Sequence, residues 1–135
     1  MTSIYNRPRP VRVTRLDHVA INVSDLSTSI SFYTLALRLY TGSRSMFKQV
    51  LLGPNFSLHL FQTPEKSAVN SVRDWRHLGV QHLALSVPDD ELERAIEVVH
   101  QLGREIDGPI EDADGRSVYF RDPDGNVVEL RSQGQ

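Results

Sequence analysis

The sequence predicts an α+β protein made of two βαβββ modules in tandem, and two observations lead there. The stretch DHVAINVSD at Asp17–Asp25 returns as QHLALSVPD at Gln81–Asp89, so that His18 meets His82, Ala20 meets Ala84, Val23 meets Val87 and Asp25 meets Asp89. Each copy then runs through helical periodicity to a matching close. PNFSLHL at Pro54–Leu60 parallels DGNVVEL at Asp124–Leu130, which sets Leu58 against Val128, His59 against Glu129 and Leu60 against Leu130.

The elements follow in order. In the first strand Val19, Ile21 and Val23 alternate with His18, Ala20 and Asn22, the period of a half-buried strand. Leu26, Ile30, Tyr33 and Leu37 then recur at helical spacing, with Ser24 or Asp25 placed as N-cap. Short strands are expected near Tyr40–Arg44, at Phe47–Leu52 and at Phe56–Gln62. The second module repeats the plan, with a strand over Val80–Val87 and a helix carrying Leu92, Ile96, Val99 and Leu102 up to Gly103. Strands near Arg104–Ile110, at Val118–Arg121 and at Val127–Arg131 complete it. The turn DPDGN at Asp122–Asn126 joins the last two as a hairpin. Thr63–Gly79 has no clear periodicity and is the connector, so the modules are 14–62 and 80–132 of one domain, 14–135.

Composition sets the outer limits. A chain of 135 residues, 39% hydrophobic and 24% charged, suits one domain with its own core. Its net charge of −2 gives no sign of a nucleic-acid or anionic-membrane surface. Arg7, Arg9, Arg12 and Arg15 cluster around Pro8 and Pro10, and residues 1–13 are expected to form a flexible arm. The chain has no cysteine, which excludes disulfides, thiolate metal sites and a cysteine nucleophile. No apolar run approaches the ~20 residues that span a bilayer, and no leader pattern opens the chain, so a soluble cytoplasmic protein is expected.

Strand parity singles out the chemistry. If the apolar residues of the first and last strands pack under the helices, His18, His59, His82 and Glu129 all project to the opposite face. Small neighbours, Ala20 and Ala84, leave room beside two of the histidines. Each such group left buried and unpaired would cost ~1–3 kcal/mol, so four of them need partners. Mutual hydrogen bonds or water could satisfy them, but would not explain the repeat-related placement. A shared divalent metal would, and three imidazoles with one carboxylate suit Zn, Ni, Mn, Co or Fe(II). His77, in the connector, and His100, late in the second helix, have no such placement and are expected in solvent. Arg44, Lys48, Arg116 and Arg121 could bind a substrate anion, although each is also an ordinary surface charge.

The motifs LDHVAINVSDLSTSISFY, QHLALSV and YFRDPDGNVVEL together make the chain resemble the vicinal oxygen chelate superfamily, over nearly all of Arg15–Ser132. That group includes glyoxalase I, methylmalonyl-CoA epimerase, fosfomycin-resistance thiol transferases, extradiol dioxygenases and metal-free bleomycin-resistance proteins. The resemblance implies an open, curled eight-stranded mixed sheet around one divalent metal, with His18, His59, His82 and Glu129 as ligands. It implies a small-molecule substrate with vicinal oxygens, and a homodimer whose site is in some members built from two chains. His59 departs from the carboxylate of glyoxalase I and the glutamine of the epimerase at that position, yet imidazole can ligate or act as a base. Tyr119 stands where extradiol dioxygenases keep a tyrosine, but the histidine that precedes it in those enzymes is missing from EDADGRSVYF. The expected function is therefore a metal-dependent glyoxalase-like lyase or isomerase, with Glu129, His59 and Tyr119 as catalytic candidates. The alternatives are an Fe(II) extradiol-type dioxygenase and a small-molecule binding protein like those of bleomycin resistance.

Overall fold

The alternating segments form strands where one face can be buried beneath a helix. The computed structural model describes residues 7–63 and 79–133. In it the first module runs β1 (His18–Val23), α1 (Leu26–Leu37), β2 (Tyr40–Arg44), β3 (Lys48–Leu52) and β4 (Ser57–Gln62). The second runs β5 (Leu83–Ser86), α2 (Glu91–Gln101), β6 (Ile106–Asp112), β7 (Gly115–Arg121) and β8 (Val127–Ser132). The eight strands divide into two four-stranded mixed sheets, ordered β1-β4-β3-β2 and β5-β8-β7-β6. In each, the first strand lies parallel to the last and the rest of the ladder is antiparallel. Among the described residues the hydrogen-bonded ladder is interrupted between the modules, where β1 and β5 are edge strands, and no barrel closes.

Asp25 is the cap that starts α1: its carboxylate accepts from the Thr28 backbone N–H at 3.3 Å and also from the Thr28 hydroxyl. The Leu26 N–H, another donor without a helical partner, goes to Gln62 Oε1 on β4 at 2.8 Å. Leu26, Ser29, Phe32 and Tyr33 form the buried stripe, while Ile30 and Leu37 pack at its margin. In α2 the stripe is Leu92, Ala95 and Val99, with Glu91 and Glu93 in the first turn, where acidic charge suits the helix dipole, and His100 in the last.

One apolar cluster runs through both modules and includes residues of both helices and both sheets. Phe32 meets Phe120 with ring centroids 5.9 Å apart, and the Arg104 guanidinium lies 5.4 Å from the Phe32 ring. The tightest tie is polar. Asp122, in the β7–β8 turn, accepts from the Tyr33 hydroxyl at 2.7 Å and from the N–H groups of Asp124 and Asn126. The Ser24 N–H reaches Asp124 Oδ2 at 3.1 Å, so the DPDGN turn of one module holds the helix entrance of the other.

Most strand boundaries shift by a residue or two from the sequence expectation, and the start of β5 and the β6–β7 turn shift furthest. β5 starts at Leu83 because Val80 is 78% exposed and has no face to bury. β6 extends to Asp112 and β7 starts at Gly115, since the polar run DADG is a hairpin turn in which Asp112 Oδ1 accepts from the N–H of Asp114 and of Gly115. A side chain at Gly115 would collide with the Ser132 carbonyl, which keeps that corner a glycine. Of the expected arm, residues 7–13 form no helix or strand and are exposed, and 14–17 continue the same way up to β1. Residues 64–78, with most of the expected connector and His77, lie outside the described residues.

Candidate metal centre

In β1 and β4 the parallel register sets Ala20 against His59 and His18 against Ser57. Leu58 and Leu60 are buried under α1, so His59 turns to the open face beside β1. There the His18 and His59 rings stack, with centroids 3.9 Å apart and planes within 7°. His18 Nδ1 lies 2.8 Å from the Asp17 carboxylate, and His59 Nε2 lies 3.0 Å from the Ser57 hydroxyl. Burial pushes the His59 pKa below the ordinary imidazole value, and the neighbouring His18 and Lys48 push the same way against Asp17.

The second sheet repeats the arrangement. The β5–β8 register sets Ala84 against Glu129, as Ala20 is set against His59. Val128 and Leu130 are buried beneath α2, and Glu129 takes the open face, 6% exposed. His82 Nε2 lies 2.9 Å from Glu129 Oε1, while His82 Nδ1 lies 2.9 Å from Gln81 Oε1. In both modules, then, the residue before the strand histidine offers a side-chain oxygen to its Nδ1. Such a contact fixes the ring through Nδ1, as supporting carboxylates or carbonyls fix metal-binding histidines, and in His82 it turns Nε2 onto Glu129. Tyr119 is the cross-strand neighbour of Glu129, its ring edge-on to His82. Burial, then the Glu129 charge, raises the Tyr119 pKa, so its hydroxyl keeps its proton.

The structure thus brings His18 to His59 and His82 to Glu129. Among the described residues it does not gather three or more such groups at one point within a single chain. A cavity between the modules is lined by Ala20 and Asn22 of β1 together with His82 and Arg121, so the two edge strands look onto the same space. Of the candidate cations, Lys48 is on the open face, 5.3 Å from the Phe61 ring centroid. Arg116 faces the other way, onto Asp89 and Glu93 of the α2 side, and Arg121 donates to the Gly125 carbonyl. Arg44 is exposed on β2 and His100 is exposed at the end of α2.

Sequence reasoning missed two residues beside Glu129. Ser117 is buried and donates to Glu129 Oε2 at 2.6 Å, and Arg131 donates to Ser117 Oγ at 2.8 Å. Parity puts both on the open face, Arg131 two residues from Glu129 and Ser117 two from Tyr119, but only the β7–β8 register brings them together.

Two βαβββ modules, each bringing a pair of nitrogen- or oxygen-bearing side chains together on the face away from its helix, define a paired-module α+β protein. The chain belongs to the Glyoxalase/Bleomycin resistance protein/Dioxygenase superfamily, whose profile matches residues 15–130. It is 31% identical over 124 residues to a lactoylglutathione lyase of Escherichia coli O157:H7, covering 86% of this chain and 90% of that one. It is 28% identical over 127 residues to the metallothiol transferase FosB of Staphylococcus epidermidis, covering 90% and 84%. The structure of a glyoxalase/dioxygenase from Nostoc punctiforme superposes with a TM-score of 0.81 at 26% identity, over 98% of this chain and all of that one. Among the described residues no helix is long and apolar enough to cross a membrane.

Proposed function

We propose that this chain is a metal-dependent enzyme of the glyoxalase type, a lyase or isomerase that moves a proton on a small substrate with neighbouring oxygens. The observation that carries the reading is the repeat-related pairing of His18 with His59 and of His82 with Glu129, on faces their sheets leave open. Each pair is half of a four-donor set. A two-fold homodimer in which the first module of one copy meets the second module of the other would join the halves, with His18, His59, His82 and Glu129 holding the ion. The donor chemistry fits a divalent ion of the Zn, Ni, Mn or Co kind.

Bound there, such an ion supplies Lewis-acid polarisation of two adjacent substrate oxygens. The chain's own residues do the rest. His59, its pKa held down, is neutral at physiological pH and can ligate or accept a proton from the substrate. Tyr119 keeps its hydroxyl proton and can donate a hydrogen bond from beside Glu129. Glu129, pinned by Ser117, presents Oε1 towards His82. The 28% identity to a metallothiol transferase supports a second reading, thiol transfer at the same site, which would make turnover depend on an added thiol.

Metal content and turnover test the proposal. Glu129→Gln and His82→Ala should each drop near-stoichiometric metal at least tenfold, as expected for losing a first ligand, with His100→Ala unchanged. Activity should persist without oxygen and be supported by Ni, Co, Mn or Zn. Protein that takes up none of these on titration would favour a small-molecule binding protein instead. Strict dependence on Fe(II) and oxygen would favour the dioxygenase.

A further inference from the structure

The contacts around Glu129 extend further than metal ligation alone requires. Its two carboxylate oxygens have different partners, Oε1 facing His82 Nε2 at 2.9 Å and Oε2 accepting from Ser117 Oγ at 2.6 Å. Ser117 is 2% exposed, and a hydroxyl has a single proton to give. Where that proton goes depends on Arg131. Its Nη1 donates to Ser117 Oγ at 2.8 Å and stays 3.8 Å from Glu129 Oε2. With a cationic donor on its lone pair, the hydroxyl turns its proton to Glu129.

Arg131 is fixed in its turn. Its Nη2 donates to Asp112 Oδ1 at 2.8 Å, and that oxygen also accepts the two N–H groups of the β6–β7 turn. The ladder explains the geometry, because Ser117 is the cross-strand partner of Arg131 and Tyr119 that of Glu129. Both ends of the guanidinium are therefore engaged within the protein, which argues for a role in orientation and against direct capture of a substrate anion.

We propose that Arg131 is a positioning residue for Glu129: acting through Ser117, it decides which carboxylate oxygen is tethered and leaves Oε1 aimed at the side of His82, where a cation would sit. The value of this orientation for a cation rests on the metal reading above; the orientation itself does not.

The test has two arms, metal-free crystal structures and titration with Co(II) alone, each on wild type, Arg131→Met, Ser117→Ala and Arg131→Lys. In metal-free Arg131→Met and Ser117→Ala the Glu129 carboxylate should leave hydrogen-bond range of His82, with the melting temperature close to wild type. Co(II) affinity should fall about 10- to 100-fold in both, the range for loss of a ligand's supporting partner, with a changed visible absorption band. Arg131→Lys keeps a donor for Ser117 and should restore most of the affinity. Combining Arg131→Met with Ser117→Ala should add little, since both break one chain of contacts. A carboxylate that stays in place in both single variants would overturn the proposal, as would a lowered melting temperature with unchanged Co(II) affinity. If wild type bound no Co(II) while the carboxylate still swung away in the variants, the orientation would stand and the metal reading would fall. Should Arg131→Met not fold, Ser117→Ala, which keeps the Arg131–Asp112 pair, decides alone.

Discussion

The stacked imidazoles of His18 and His59 set the acid limit of the site. Two protonated rings at 3.9 Å would repel each other, and burial already disfavours charge on His59. The fold therefore holds His59 neutral, while an unfolded chain would take up its proton at the ordinary imidazole value. The stability this group contributes is complete above about pH 6.5 and is lost as pH falls towards the lower pKa of the folded ring. Any bound metal would be released over the same descent, since protons compete for the same nitrogens. An NMR titration of His59 should show a midpoint below about 6.5. A midpoint above that value would mean the stack does not form in solution. The facing of His59 and Glu129 was legible in the sequence because alternation in a strand is rigid, and a polar residue between two buried apolar ones can face only one way. Arg131 was not. It follows Leu130 in the polar tail RSQGQ, where a charge resembles ordinary surface, and only the cross-strand pairing with Ser117 shows its purpose.

Among the elements, the β7–β8 turn does more than reverse the chain. DPDGN was readable as a hairpin from its composition, but its hold on α1 was not, because no local pattern marks a contact spanning 89 residues. The buried stripe of α1 shows the same effect. Phe32 is only 5% exposed because it finds Phe120 in the other module, whereas the expected Ile30 and Leu37 stay at the margin. The ends of β6 were each two residues off for the opposite reason: IDGPIED is a polar, exposed edge strand, so burial writes little on it. The tie between modules makes a quantitative expectation. Tyr33→Phe deletes a hydrogen bond to a buried carboxylate and should cost about 1.5–3 kcal/mol in urea unfolding, the usual worth of a bond to a charged group. A loss within about 0.5 kcal/mol, as for a surface substitution, would show that the turn does not bear on α1.

For the molecule as a whole, the open sheet faces matter most. Tyr40 and Leu52, paired across β2 and β3, are 65% and 45% exposed, and Leu52 shares its face with His59 and with the Lys48–Phe61 pair. Among the described residues β1 and β5 also leave one edge each without a strand partner. A second copy would cover both features and, on the proposed reading, bring the four donors together. Sedimentation at micromolar concentration should give a dimer, with chelation of the metal weakening it if the ion is shared between chains. A monomer under all conditions would remove the shared-site form of the proposal.

The bond from Tyr33 to Asp122 also bears on how the chain acquires its shape. Although the sequence repeats, its halves share one apolar cluster and are tied by that bond. A first half that formed ahead of the second would leave the Tyr33 hydroxyl without its acceptor and the Phe32 ring against water. Closure across so long a separation carries an entropic penalty that has to be met before either contact gives any return. The rate of reaching the native state should then be governed by the meeting of the halves, and two lookalike segments would behave in time as one.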